Sequence, residues 1–467
     1  MEDDFDFGFS EDPKFSVERY EEMVRNKDQY FFDSQAFEGI IDFYIERNDP
    51  IKALQVVEYA VSQHPFIATF YIKQAQLFSI VSQTDRAFAA LDKAQSLEPS
   101  EIDIYLIRGG ILSVLERYDE AMDELNIALS LSENAVDVHM QIAMMLQSKG
   151  DFETAITHLK ICLEDNMEDQ DALYELAFCY DVLDRHEESI GFYIQYIDSD
   201  PYSYAAWYNL GNAYHKVELF EKAIDAYDYA ILIKENFASA YFNKGNALVN
   251  IDKYEEAIKI YKETFEFEPP SADTYCAIGE CYEKLNQMEE ARAYYKKAVK
   301  LDRNLSDAWF GIGVTLDFEG RFFESLHYFK KALDLDGFNP DYWFAIADAR
   351  YKLRQFDEAE IAYRQVVELN PIDIEAWLDY SSIVYEQDRL DSSVTIIAEA
   401  IKFNPDAAEL YYRMVAYLFA GGQHSQAFNF LDIALNLDSE KRHILFEYLP
   451  QLATNQAIVD IIKKYTM

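Results

Sequence analysis

The sequence predicts an all-α chain of stacked antiparallel helix pairs, a solenoid, and three observations lead there. Apolar residues recur at helical spacing nearly throughout, and strict alternation is scarce. The pattern repeats every 34 residues without slipping. All four tryptophans, Trp207, Trp309, Trp343 and Trp377, fall in one phase of that period, which chance would not arrange. Fifteen glycines and eleven prolines in 467 residues are also too few for a sheet-rich fold built on tight turns.

The elements follow in chain order. Residues 1–33 are read as an acidic tail and a capping helix. Six acids precede the first base, Lys14, and Phe5, Phe7 and Phe9 lie among them, the composition of a solvated tail. Ser16 is expected to cap a helix running to Asn26, with Val17, Tyr20 and Val24 on one face.

Twelve repeats then fill residues 34–441. With Tyr204 as position one of its repeat, position four reads Phe37, Tyr71, Tyr105, His139, Leu173, Trp207, Tyr241, Tyr275, Trp309, Trp343, Trp377 and Tyr411, ten of twelve aromatic. Position twenty is Ala or Ser in every repeat, and position eight is Gly or Ala in nine, Gly211, Gly245, Gly279 and Gly313 among them. Small residues there let the two helices of a pair approach closely, and the large residue at position four fills the gap to neighbouring helices. Prolines such as Pro65, Pro99, Pro201 and Pro371 end second helices and set the turn to the next repeat. A single pair cannot bury its apolar face alone, so neighbours stack into a continuous core. Residues 442–467 are read as C-terminal capping helices: one carries Ile444, Leu445, Tyr448 and Leu449 and stops near Pro450, and a last one, capped by Asn455, carries Ile458, Ile461 and Ile462.

The stretch Trp207-Tyr208-Asn209-Leu210-Gly211-Asn212-Ala213-Tyr214, followed by Ala223, Tyr227 and Ala230, resembles the tetratricopeptide repeat, whose pattern is W-x2-L-G-x2-Y, then A-x3-F, then P. The resemblance implies a right-handed superhelical solenoid whose first helices line a concave groove. It also implies that positions two, five, nine, twelve and thirteen supply the lining, and that the work is binding other proteins.

The formal charge is −44, of which the tail carries −6. Eighty-five acids against 41 bases exclude nucleic acid and an anionic membrane surface as expected partners, because both require clustered Lys and Arg. No uncharged apolar run approaches a membrane span, the N-terminus lacks the features of a signal peptide, and four cysteines do not make a disulfide framework. Cytoplasmic residence is the expectation. No catalytic constellation, metal site or cofactor motif emerges. Cys162, Cys179, Cys276 and Cys281 are assigned to packing, as is His139, and Gly311-Ile312-Gly313 lies inside a first helix rather than in a strand-turn-helix phosphate loop.

Candidate binding residues lie on the first helices. Position five reads Ile72, Leu106, Met140, Tyr174, Tyr208, Phe242, Cys276, Phe310, Phe344, Leu378 and Tyr412, broken only by Glu38. Such a row reads either as an interaction surface or as ordinary repeat packing. Phe178 at position nine extends it. At the five lining positions acids outnumber bases 17 to 3, and eight of those acids sit at position two, where they cap or complement a helix N-terminus. Asn209, Asn212, Asn243, Asn246 and Asn250 gather on two successive first helices, where carboxamides can hold a peptide backbone without reading its sequence. Asn212 and Asn243 match the asparagine pair with which some family members hold chaperone C-termini, but the matching cation positions hold Tyr208, Asp273 and Ala277, which argues against an acidic tail as ligand. The expected site is therefore Tyr174, Phe178, Tyr208, Asn209, Asn212, Phe242, Asn243, Asn246, Asn250, Phe310 and Phe344. The expected partner is a protein with a basic or apolar segment. The competing expectation is a structural subunit that organises an assembly through its convex face or edges.

Overall fold

A computed structural model of the chain describes residues 13–167 and 169–465. Among them there is no strand, and helices follow one another in pairs. Every first helix begins at position one and every second helix at position seventeen, from Ser34–Glu46 with Pro50–Gln63, through Tyr204–Lys216 with Phe220–Ile233, to Ala408–Ala420 with His424–Leu437. One second helix stops early. Tyr254–Glu263 gives way to a 3-10 turn, Thr264–Glu266, where the buried Thr264 hydroxyl donates to the Tyr261 carbonyl at 2.7 Å.

The turn inside each pair has one geometry. Position fifteen has positive φ in all twelve repeats: Asn48, Ser82, Glu116, Gly150, Asp184, Glu218, Asp252, Asn286, Gly320, Arg354, Asp388 and Gly422. The next residue's N–H reaches back five residues to the first helix, as Leu219 does to the Tyr214 carbonyl at 2.9 Å and Gln355 to Arg350 at 2.9 Å. This is a Schellman ending, which satisfies carbonyls the helix would leave orphaned. Caps at the other end come from the residue before position one. Asp33, Asp169, Ser203, Ser271, Asn339 and Asp373 each accept a backbone N–H. Where the sequence reading let position-two acids cap, those acids instead lie in the first turn, as Asp103, Asp307 and Asp341 do, and act on the helix dipole.

The ends differ from expectation in detail. The first helix is Pro13–Asn26, so Ser16 lies inside it and is buried rather than capping it. Val17, Tyr20 and Met23 form its buried face, and Val24 is exposed. Phe5, Phe7 and Phe9 lie outside the described residues. At the far end the helix His443–Tyr448 is followed by a 3-10 turn, Pro450–Thr454. The Asn455 side chain accepts from the Ala457 and Ile458 N–H groups as it opens Gln456–Tyr465, whose Ile458 and Ile462 are buried.

The chain divides into two compact units, with the boundary between Glu235 and Asn236. The first unit has a single hydrophobic core reaching from Val17 to Ala226. The second has two clusters, one around Tyr295 and Ile312 and one running from Leu326 to Ile462. Within each unit neighbouring first helices touch directly, as Ile102–Val114 touches Val136–Lys149 and Ser306–Phe318 touches Pro340–Lys352. Neighbouring second helices do not approach to that degree. The first helices therefore form the inner face of each unit and the second helices the outer one.

Candidate functional site

The position-four aromatics bind the chain to itself. The indole N–H groups of Trp207, Trp309, Trp343 and Trp377 donate to the carbonyls of Pro201, Arg303, Gly337 and Pro371, six residues back, at 2.9–3.1 Å. The hydroxyls of Tyr71, Tyr105 and Tyr411 do the same to Pro65, Pro99 and Pro405. Each side chain thus pins the loop that enters its repeat, so packing accounts for this row. His139 breaks it by facing His158, Nδ1 to Nδ1 at 2.8 Å. Burial lowers the pKa of both rings, in keeping with a neutral donor–acceptor pair.

The position-five row is not a uniform exposed stripe. Ile72, Cys276 and Tyr412 are buried, and Tyr208, Phe242, Phe310 and Phe344 are half-buried. Those four rings pack on the position-twenty-four rings of their own repeats, Tyr227, Tyr261, Phe329 and Tyr363, with centroids 5.4–6.0 Å apart. Tyr174 is 38% exposed and Phe178 51% exposed, the latter edge-on to Phe152 at 6.0 Å.

The asparagines are two sets: Asn209 and Asn212 belong to the first unit, and Asn243, Asn246 and Asn250 to the second. Asn209 is buried and donates to the Leu173 carbonyl at 3.3 Å, a brace to the preceding repeat rather than a groove contact. Asn212 accepts the Tyr227 hydroxyl at 2.9 Å, and Asn246 accepts that of Tyr261 at 2.6 Å. Their amide oxygens are therefore engaged from behind by the second helix. Asn243 is half-buried, and Asn250 stands exposed at position thirteen.

Two stretches of the inner faces differ in chemistry, repeats two to five in the first unit and repeats eight to eleven in the second, which the row-by-row reading missed; repeat one, with Glu38, Asp42 and Glu46, is acidic like the latter. In repeats two to five, positions five, nine, twelve and thirteen hold sixteen residues, of which Asp181 alone is charged. Asp181 is paired with Lys216 at 3.0 Å. Ile80, Val114, Met144, Phe178 and Val182 are exposed there, on a chain of −44 charge. Reading position by position averages over repeats; reading along consecutive repeats would have found this stretch.

In repeats eight to eleven the same positions carry Glu280, Glu283, Asp317, Asp348 and Glu386 against Lys284 and Lys352. Burial raises the pKa of Glu283, although the Tyr295 hydroxyl donates to it at 2.8 Å. Glu280 keeps contact with solvent, yet crowding by the surrounding helices raises its pKa too, with Asp307 and Glu283 adding to the effect. Asp379, at position six, is pushed up to about 6, first by burial and then by Glu375, with Arg413 opposing. Lys352 bridges Asp317 at 2.6 Å and Asp348 at 2.7 Å. Here crowded carboxylates exceed the cations available to them.

The four cysteines are free and buried, and burial raises their thiol pKa values, that of Cys162 to about 11 and that of Cys281 to about 12. Among the described residues no three His, Cys, Asp or Glu side chains are placed to hold a metal ion. None of the described helices is long and apolar enough to cross a membrane.

Family models of the tetratricopeptide repeat match residues 204–237, 238–270, 272–305, 310–374 and 344–408. No curated protein matches the chain. Similar solved structures include YrrB, described as a TPR protein with an unusual peptide-binding site, at 23% identity over 39% of this chain and 95% of that one, TM-score 0.33. The Cut9–Hcn1 hetero-tetramer of the APC/C is 12% identical over 88% of this chain and 92% of that one, TM-score 0.43. MamA is 19% identical over 34% and 94%, TM-score 0.32.

Proposed function

We propose that this chain, a solenoid of tetratricopeptide repeats, is a scaffold that holds segments of partner proteins against the inner faces of its two units. The observation that carries the reading is the inner face of repeats four and five, where Met144, Tyr174, Phe178 and Val182 are exposed and Asp181, paired with Lys216, is the one charged residue at positions five, nine, twelve and thirteen. An apolar strip whose one charge is paired, on a strongly acidic protein, marks a surface meant to be covered. Thioether and aromatic side chains suit partner side chains of varied shape.

The inner face of the second unit takes a different ligand in this reading. Glu280, Glu283, Asp348 and Asp379 crowd carboxylates that a basic segment would relieve, with Phe310 and Phe344 contributing half-buried apolar contact. Tyr208, Phe242, Asn212, Asn243, Asn246 and Asn250 are secondary contacts in their own units. The protein acts by binding and not by catalysis, and its four free thiols suit the cytoplasm.

The test is affinity capture from the native cell, with crosslinks mapped to first-helix residues. Met144→Ala with Phe178→Ala should release partners held by the first unit and leave the melting temperature nearly unchanged, because both side chains are exposed. Retention of every partner by that double variant would overturn the reading.

A further inference from the structure

The outer side of the sixth repeat departs from the eighth and ninth at two positions. In those repeats position twenty-three is Tyr294 or Tyr328, and position twenty-six is Lys297 or Lys331. The tyrosine lies against the position-four ring, Tyr294 on Tyr275 and Tyr328 on Trp309, each with centroids 6.0 Å apart. The lysine ammonium then covers the rings. Lys297 stands 4.1 Å from the Tyr294 centroid and 5.4 Å from that of Tyr275, and Lys331 stands 4.2 Å from that of Trp309. The chain places its own cation on the exposed aromatic face, a favourable contact with the ring quadrupole.

The sixth repeat has Ala226 and Tyr229 at these positions. Tyr229 stacks on Trp207 with centroids 4.4 Å apart and is half exposed. Beside Ala226 there is a cavity of about 300 Å³ between the second helices His186–Ser199 and Phe220–Ile233, with the first helix Tyr204–Lys216 as its floor. Its walls are Ile194, Leu210, Trp207 and Tyr229, with Asp198 and Asp225 beside them. Neither carboxylate has an ion pair or hydrogen bond among the described residues. Lys222 also lines the cavity, but its ammonium lies over Tyr214, 5.5 Å from the centroid, and is not ion-paired to either acid.

We propose that this cavity receives a lysine or arginine side chain projecting from a partner protein. Its methylenes would fill the slot beside Ala226, and its charged head would meet the Tyr229–Trp207 stack and the carboxylates of Asp198 and Asp225. The ligand chemistry is the one this chain uses at the same position two and three repeats later. The site lies on the outer side of the first unit, so it is a second interaction surface, separate from the inner face.

The test uses the full chain labelled with 5-fluorotryptophan, whose four ¹⁹F resonances are assigned by single Trp→Phe variants. The probe is a blocked peptide, ALKLA, with ALELA as control. The Trp207 resonance should shift saturably with ALKLA and stay put with ALELA. Tyr229→Lys, which installs the internal cap, and Ala226→Tyr, which fills the slot, should each weaken binding by about tenfold or more. Should either variant unfold, Asp225→Lys gives the same readout from an exposed position. Met144→Ala with Phe178→Ala should leave the shift unchanged, which separates this site from the inner-face reading. A Trp207 resonance unmoved by ALKLA, or equal binding by a folded Tyr229→Lys, would sink the proposal.

Discussion

Gly211 and Tyr227 occupy one space: a Cβ atom added to Gly211 would stand 2.5 Å from Cε1 of Tyr227. The ring passes where a side chain would be and carries its hydroxyl on to Asn212 at 2.9 Å. A missing side chain on the first helix thus lets the second helix place a donor behind the inner face. Gly245 with Tyr261, Gly279 with Tyr295 and Gly313 with Phe329 repeat the close approach.

Gly211→Ala is expected to destabilise the protein by about 1–2 kcal/mol, because the new methyl must push the ring or the helix aside. The tenth repeat carries Ala347 with Tyr363 at the same positions, so a methyl is within what a helix pair can absorb. Gly211→Leu has no such precedent and should cost about 3 kcal/mol or more. Urea denaturation followed by tyrosine fluorescence would measure both, and equal stability of the two variants would contradict the packing argument.

At position fifteen the strained residues are those without glycine. Arg354, at φ 56°, and Glu218, at φ 59°, occupy the left-handed region that side chains disfavour. Arg354→Gly should therefore stabilise the protein by about 0.5–1 kcal/mol, the relief of strain exceeding the added freedom of the unfolded chain. A raised melting temperature is the readout, and a lowered one would count against it.

Asp379 supplies a pH dependence. Its folded-state pKa of about 6 lies above its ordinary value of 3.8, so between those values the folded chain binds more protons than the unfolded one. Its contribution to stability is then fully present below pH 3.8 and is lost as the pH rises through about 6. Asp379→Asn should melt higher than the natural protein at pH 7.5, and the gap should close towards pH 4. A gap that stays constant across that range would rule out titration of Asp379 as its source.

Tyr411→Phe removes only the hydroxyl that donates to the Pro405 carbonyl at 2.9 Å. The expected cost is about 1 kcal/mol, one net hydrogen bond. Because the bond fixes the loop that enters the twelfth repeat, hydrogen exchange should accelerate first at Ala407 and Ala408. Uniform acceleration across the second unit would point instead to a global effect.

Helix positions and packing roles were legible in the sequence because stacking constrains the same positions in every repeat. Trp207 and Trp343 could be assigned to packing for that reason, and their bonds to Pro201 and Gly337 agree. The candidate site was less legible. Asn209 lies beside a lining position and Cys276 at one by count, yet tilt and neighbour size bury both. Those are three-dimensional quantities that a phase of 34 does not contain. Phe178 and Tyr174 are exposed at positions equivalent to those of half-buried residues elsewhere, so exposure had to be seen rather than counted. The cavity beside Ala226 required comparing two positions jointly across repeats.

The twelve turns at position fifteen carry one more meaning. All twelve keep a positive φ whether the residue is Gly, Asn, Ser, Asp, Glu or Arg, so the helix pair dictates the backbone. In six repeats that side chain is charged and exposed: Glu116, Asp184, Glu218, Asp252 and Asp388 are acidic, and Arg354 is basic; the partners of Asp184 and Asp252, His186 and Tyr254, lie two residues on. Each unit thus has a margin on which one charge per repeat can be written or erased without reshaping the scaffold.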